Sequence, residues 1–328
     1  MTIAVLAALA AGACFALAGV LQQRAASARP DTETLSWRLL RQLARQPAWL
    51  AGIGLAVLAY GFQSLGLAFG PLSLVQPLIV TELVFAIPLS ARLARTRLGA
   101  REWGGVLAVA GGLALALSTA RPHGGARPDV GLGPWLWTLG AVGGVVLAAL
   151  AVRRSTAGAW QASATALAAG VVMGFQSVLL SVTVSRFDQG VAAVATAWQT
   201  YLLVAVSVGG LLLIQSAFQE GPLAASMTVL DMTEPAVAIA AGTVLFGESL
   251  YLGPVATPLT VLGVVLALSG IVSLDSSPVV AALHRQERRG RNEAADDEGD
   301  DDPDGETDGE TDRDAGTSTA EAAPDGRA

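Results

Sequence analysis

Nine stretches of about twenty mostly apolar residues follow one another along this chain, at roughly 3–21, 48–69, 72–93, 102–119, 134–152, 162–184, 198–218, 223–246 and 254–274. At about 1.5 Å per residue, each reaches across the roughly 30 Å hydrocarbon core of a bilayer. A backbone inside that core must satisfy its own N–H and C=O groups, so each stretch is expected to be a helix. The fold expected is an all-α polytopic membrane protein with nine transmembrane helices. Composition agrees with this: 52% of the residues are hydrophobic and 14% charged, against about 25% charged in a soluble domain.

The formal net charge of −7 hides two different segments. Residues 1–291 hold 18 Arg against 12 acidic residues, whereas residues 292–328 hold 2 Arg against 15. The acidic end, with Asp300-Asp301-Asp302 and no aromatic residue, has too little apolar surface to fold and is expected to be a disordered tail. The basic run Arg285–Arg291 just before it should hold the chain at anionic headgroups.

The Arg residues also predict direction, because cytoplasmic loops are enriched in positive charge. Arg24, Arg29, Arg38, Arg41 and Arg45 follow the first span, and Arg92, Arg95, Arg97 and Arg101 flank the connection after the third. Arg153 and Arg154 follow the fifth, and Arg285, Arg288, Arg289 and Arg291 the ninth. The opposite loops hold only Arg121, Arg127 and Arg186. The N-terminus is therefore expected outside and the C-terminus in the cytoplasm, in the plasma (inner) membrane. A cleaved secretory signal is the rival for the first span, with Ala25-Ala26-Ser27-Ala28 as its cleavage site. No basic residue precedes the apolar run, which is also longer than a signal core. In the first cytoplasmic loop, Leu35 to Arg45 spaces its apolar and Arg positions as a short amphipathic helix on the inner headgroups would, or as a plain connector.

Several chemistries are excluded at the outset. The chain has no Lys, its two His (His123 and His284) lie outside the apolar runs, and Cys14 is its sole cysteine. No P-loop or Schiff-base lysine, internal disulfide or thiolate zinc site can be assembled. No nucleophile–base pair is evident either, so neither enzyme activity nor a cofactor is expected, and nothing points to nucleic acid.

The chain repeats itself. Leu9-Ala10-Ala11-Gly12 and Val20-Leu21 recur as Leu167-Ala168-Ala169-Gly170 and Val178-Leu179, 158 positions on. Gln63-Ser64 recurs as Gln215-Ser216, Gly70-Pro71-Leu72 as Gly221-Pro222-Leu223, and Thr81-Glu82 as Thr233-Glu234. Leu115-Ala116-Leu117-Ser118 returns as Leu266-Ala267-Leu268-Ser269, and these later offsets are 151 or 152. Spans 1–4 thus correspond to spans 6–9 with span 5 between them. A single intervening span reverses direction, so the second four-helix unit is expected upside-down relative to the first. The implied units are a first repeat over 1–121, a linking helix with its loops over 122–161, an inverted repeat over 162–277, and the tail region 278–328. Inverted repeats characterise many secondary transporters, whose sites lie near the midplane.

The run Gly70-Pro71-Leu72-Ser73-Leu74-Val75-Gln76-Pro77-Leu78 ahead of a Gly-rich fourth span resembles the drug/metabolite transporter superfamily. Phe246-Gly247-Glu248-Ser249-Leu250, leading into Gly263 and Gly270, resembles the EamA-type repeat ending. That superfamily usually has ten spans in two inverted five-helix units. Nine spans with the N-terminus outside are more similar to its NIPA-type branch, named for magnesium transport. The resemblance covers about residues 1–277 and implies a transporter or a Mg²⁺ permease without specifying the substrate. One departure is that the counterpart of Glu248 in the first repeat falls in Thr96-Arg97-Leu98, a turn expected in the cytoplasm, where Arg is favoured.

Acidic residues within spans carry the sharpest chemistry. Glu82 lies in span 3 and Glu234 in span 8, at matching places in the repeat, with Asp231 one helical turn before Glu234. A charged side chain at the bilayer centre costs about 2.5–3.5 kcal/mol on insertion scales and usually marks function. Apart from Arg92 at the very end of span 3, no Arg lies within a span to neutralise them. They either bind a coupling proton or cationic substrate, or sit protonated in structural hydrogen bonds, or face water at a helix end. Hard oxygen ligands also suit a divalent cation, so the same three carboxylates are the metal candidates if Mg²⁺ is carried. Gln63, Gln76, Gln176, Gln215, Thr81 and Thr233 are further lining candidates, or else make interhelical hydrogen bonds. Pro77, Pro88 and Pro235 should kink spans 3 and 8 beside the carboxylates. Gly140 and Gly144 in span 5 form a small-xxx-small pair for helix packing or for a homodimer seam. The reading is a secondary transporter rocking about a cavity lined by spans 1, 3, 6 and 8. A Mg²⁺ permease and a non-transporting membrane scaffold are the alternatives.

Overall fold

The computed structural model describes residues 1–27, 46–93, 95–125, 130–220, 223–251 and 253–277. Among them the chain is helical, apart from one two-residue antiparallel bridge between His123 and Ser249. In chain order the helices are α1 (Thr2–Ser27), α2 (Pro47–Phe69), α3 (Leu72–Ile79), α4 (Glu82–Leu93), α5 (Ala100–Ala120) and α6 (Leu132–Ser155). They continue with α7 (Ala159–Ser185), α8 (Val191–Thr196), α9 (Trp198–Glu220), α10 (Leu223–Phe246) and α11 (Ala256–Asp275). The amphipathic segment 35–45, the Arg285–Arg291 run and the acidic tail lie outside the described residues.

Eight helical segments of the described residues are long and apolar enough to cross a membrane, which makes the chain a multi-pass membrane protein. The expected seventh span falls on α9, whose described apolar stretch, Trp198–Ile214, is shorter than the others. The connection before it is not a bare loop: a 3-10 turn, Arg186–Gln189, leads through Gly190 into α8.

Span 3 is not one helix. It breaks after Ile79, and α4 begins at Glu82. Pro77 offers no N–H to the preceding turn, and Thr81 turns the chain by giving both its N–H (3.1 Å) and its hydroxyl (2.6 Å) to the Leu78 carbonyl. Glycine makes the break possible from the other side. A Cβ on Gly12 of α1 would lie 2.9 Å from Thr81 Oγ1 and 3.2 Å from the Ile79 carbonyl. Pro235, by contrast, is accommodated inside an unbroken α10.

Packing without a hydrophobic drive between lipid-like faces depends on close backbone approach. Helix α1 packs on α2, α3 and α4; α7 packs on α6, α9 and α10; and α5 packs on α11. The central helix is α7, whose Phe175, Val178, Leu179 and Val182 meet Leu72, Val75 and Leu78 of α3 and Ala238, Ala241 and Leu245 of α10 in one core. A second core joins Val106, Val109 and Leu113 of α5 to Ala267, Ile271 and Leu274 of α11. There Gly112 and Gly263 bring the backbones together, and a Cβ on either would fall 2.5 Å from a backbone nitrogen of the other helix. In α6, Gly140 and Gly144 face open space, so among the described residues the expected packing of this pair within the chain is not made.

At one end of the bundle Glu220 ties three helices. It meets Arg153 Nη2 of α6 at 2.5 Å and accepts from Thr165 of α7 at 2.5 Å.

Candidate functional site

The break in span 3 creates a small polar space. The carbonyl end of α3 and the first turn of α4 face α10 across a cavity of about 30 Å³, room for a bare cation or about two water molecules. Its polar walls are Gln76 from α3, Glu82 from α4, and Asp231 and Glu234 from α10, with Ile79, Val80, Leu83 and Pro235 as the apolar part. Four of the nine side chains singled out in the sequence therefore converge. All three carboxylates are partly buried, and no described ion pair involves any of them; the described ion pair, Arg153–Glu220, lies at a helix end.

Opposite helix poles meet at this space. Glu82 opens α4, in the first turn, where the partial positive charge of the helix terminus stabilises a carboxylate. The C-terminal end of α3 is the opposite pole, and its last residue, Ile79, and its cap, Val80, lie on the cavity wall. The ends of discontinuous helices are where membrane proteins commonly hold ions. Gln76 is 2% exposed, and its Nε2 has no hydrogen-bond partner among the described residues. A buried amide N–H left unpaired costs about 1–3 kcal/mol, so its wall is built to meet a ligand or water. Tyr60 of α2, stacked edge-on against Phe15 of α1 with ring centroids 5.0 Å apart, lies within electrostatic range of Glu82 and Glu234. Sequence reasoning passed over this tyrosine, and its one signal was a hydroxyl in an otherwise apolar run.

The other candidates lie elsewhere. Thr81 packs against Gly12, and Thr233 places its methyl over Gly170, where a Cβ would come within 3.1 Å of it. Gln63 and Gln176 are buried (3% and 4% exposed) but do not wall the cavity. The side chain of Gln215 lies outside those described. Spans 1 and 6 do not line the cavity either. They stand behind it because their glycines press backbone against backbone: a Cβ on Gly174 of α7 would be 2.6 Å from the Glu234 carbonyl. Among the described residues no three His, Cys, Asp or Glu side chains converge closely enough to form a ready metal site.

Further buried acids sit at helix ends. Glu102 (3% exposed) accepts from the Gly99 N–H at 2.8 Å and from the Ser277 hydroxyl at 2.5 Å. Asp275 (5% exposed) accepts from Thr228 at 2.6 Å. Glu248 (2% exposed) reaches the N-terminus of α3, its Oε1 2.7 Å from the Leu72 N–H and its Oε2 2.9 Å from the Ser73 N–H.

The chain is similar to an uncharacterized protein of Corynebacterium glutamicum, 32% identical over 253 residues, a match covering 75% of this chain and 85% of that one. No family model matches the chain, and no solved structure does.

Proposed function

We propose, for a chain that belongs to the family of this Corynebacterium glutamicum protein, a secondary membrane transporter of the drug/metabolite type. It works by alternating access, and its carboxylates exchange protons against a cationic or small polar solute. The observation that carries this reading is the convergence of Glu82, Asp231 and Glu234 on one cavity at a helix break, with no described cationic side chain paired to them. Three carboxyls lining one cavity within an apolar bundle repel when all are ionised, so bound protons or a bound cation must balance them. A scaffold has no use for that cost. The cavity's small volume suits an occluded state, in which the solute has left or has not yet entered.

Two further observations support nine spans in two inverted repeats. The 23 residues of α9 fill the place of the seventh span. Close contacts recur at matching positions, too: Gly12 lies against Thr81 as Gly170 lies against Thr233, and Gly112 meets Gly263, its own repeat partner 151 positions on. The antiparallel meeting of equivalent residues in α5 and α11 is what a two-fold axis in the membrane plane requires. With an odd span count and the Arg distribution, the C-terminus faces the cytoplasm. A reporter fused there is expected to be active if it needs the cytoplasm; activity of a periplasm-only reporter would reverse the topology.

The function is tested with purified full-length chain in liposomes containing a pH-sensitive dye. Mg²⁺ and cationic or amino-acid-like solutes are offered with and without a pH gradient. Solute-dependent proton movement that scales with protein content is expected. Mg²⁺ entry indifferent to the gradient would favour the permease reading. Flux no greater than in empty liposomes for every solute would refute transport.

A further inference from the structure

The EamA-like ending, Phe246-Gly247-Glu248-Ser249-Leu250, has no part in the cavity, yet Glu248 is 2% exposed. Its carboxylate sits on the start of α3, taking the Leu72 N–H on Oε1 at 2.7 Å and the Ser73 N–H on Oε2 at 2.9 Å. The local sequence puts it there. Helix α10 ends at Phe246, Gly247 adopts φ +65°, and the Glu248 N–H returns to the Gly242 carbonyl at 3.2 Å. Gly242 leaves just enough room, since a Cβ there would lie 2.8 Å from Glu248 Oε2. The loop after α5 braces the other side. His123 and Ser249 exchange backbone hydrogen bonds of 2.9 and 3.0 Å, and a Cβ on Gly124 would lie 3.2 Å from the Glu248 Cα.

Helix α3 has only eight residues, about 12 Å of helix. The clamped N-terminus is one end; the other, at Ile79, lies on the cavity wall, and Gln76 lies between them. The end that Glu248 grips belongs to the face carrying the loops after α5 and α10, the outer face in the topology proposed above.

We infer that Glu248 is a positioning residue for the cavity: from the second repeat it clamps the half-helix α3 of the first, which sets Gln76 and the α3 carbonyl end against Asp231 and Glu234, and its release lets α3 swing away and open the cavity to the outside. The inference rests on the transport reading for its purpose but not for its test. A helix N-terminus released from a carboxylate loses two charge-assisted hydrogen bonds, so the clamped and open populations should shift by tenfold or more.

The test uses accessibility. With Cys14→Ser removing the sole native thiol and Val80→Cys placing one on the cavity wall, a membrane-impermeant thiol reagent is applied from either side of intact vesicles. In this parent, labelling from outside is expected to be slow. Glu248→Gln and, more strongly, Glu248→Ala should speed it about tenfold or more, with labelling from the cytoplasmic side no faster. Gly242→Ala, which keeps the carboxylate but crowds it, should act in the same direction. Unchanged outside labelling in all three variants overturns the clamp. So does an equal increase from both sides, which would mean a loosened fold. Since labelling needs no solute, a failure of transport and a failure of the clamp are read separately.

Discussion

Glu82→Gln and Glu234→Gln are each expected to abolish flux, because the charge that is exchanged is lost, while the chain still folds and inserts. Glutamine nearly matches glutamate in shape and keeps its hydrogen-bonding capacity, but it cannot bind a proton or neutralise a cation. That difference separates the two roles open to a buried carboxyl. If Glu82 and Glu234 serve structure as protonated donors, glutamine should replace them with little loss. If they carry the exchanged charge, glutamine leaves a well-built but inert cavity. Any residual flux should be the smaller in the Glu82 variant, because Glu82 alone stands at the N-terminus of a half-helix, where the backbone field is tuned to a negative charge. Uptake by reconstituted variants, normalised to protein incorporated, gives the measurement; full activity in both variants would remove the carboxylates from the mechanism.

How far the site was legible follows from what each residue's chemistry demands. Glu82, Asp231, Glu234 and Gln76 could be picked out because a polar group deep in an apolar run must find a partner, and they share one cavity. Gln63, Gln176, Thr81 and Thr233 gave the same signal and proved to be elsewhere. A hydroxyl can return its hydrogen to its own helix, as Thr81 does to Leu78, so a threonine in a span carries far less information than a carboxylate. Of the three prolines expected to kink their helices, Pro77 stands beside a break, whereas Pro88 and Pro235 lie inside continuous helices. Span 3 breaks and α10 does not, because a break also needs a neighbour that tolerates the exposed turn. Gly12 supplies that neighbour from a helix about seventy positions away. Glu248 was visible as a motif but not as a clamp, since nothing local indicates that the start of α3 lies within its reach. Helix existence is written in local hydrophobicity, whereas the site depends on contacts between the two halves of the chain.

The largest effect on stability is expected at the crossing of α5 and α11. A Cβ on Gly112 would lie 2.5 Å from the Ala267 nitrogen and 2.6 Å from the Gly263 carbonyl; one on Gly263 would lie 2.5 Å from the Ala116 nitrogen and 2.7 Å from the Gly112 carbonyl. These are backbone atoms, so no side-chain rotation relieves the clash and the helices must move apart. That separation would strip contacts from Val109, Leu113, Ala267 and Ile271 together. Gly112→Leu or Gly263→Leu should cost about 3 kcal/mol or more, at or above the upper end of overpacking penalties. Even alanine should destabilise either position measurably. Gly111 and Gly104 lie on the same helix and face open space, so alanine there should be neutral or slightly favourable, since it relieves glycine's helix penalty of about 1 kcal/mol. The double variant Gly112→Ala/Gly263→Ala carries the more searching prediction. Once one methyl has parted the helices, the second enters a gap already open, so the pair should cost less than the sum of the two singles. Thermal unfolding in detergent, followed by loss of the monodisperse species, measures all of these variants. If Gly112→Ala melts with Gly111→Ala, the close crossing of α5 and α11 is not what holds the two halves together.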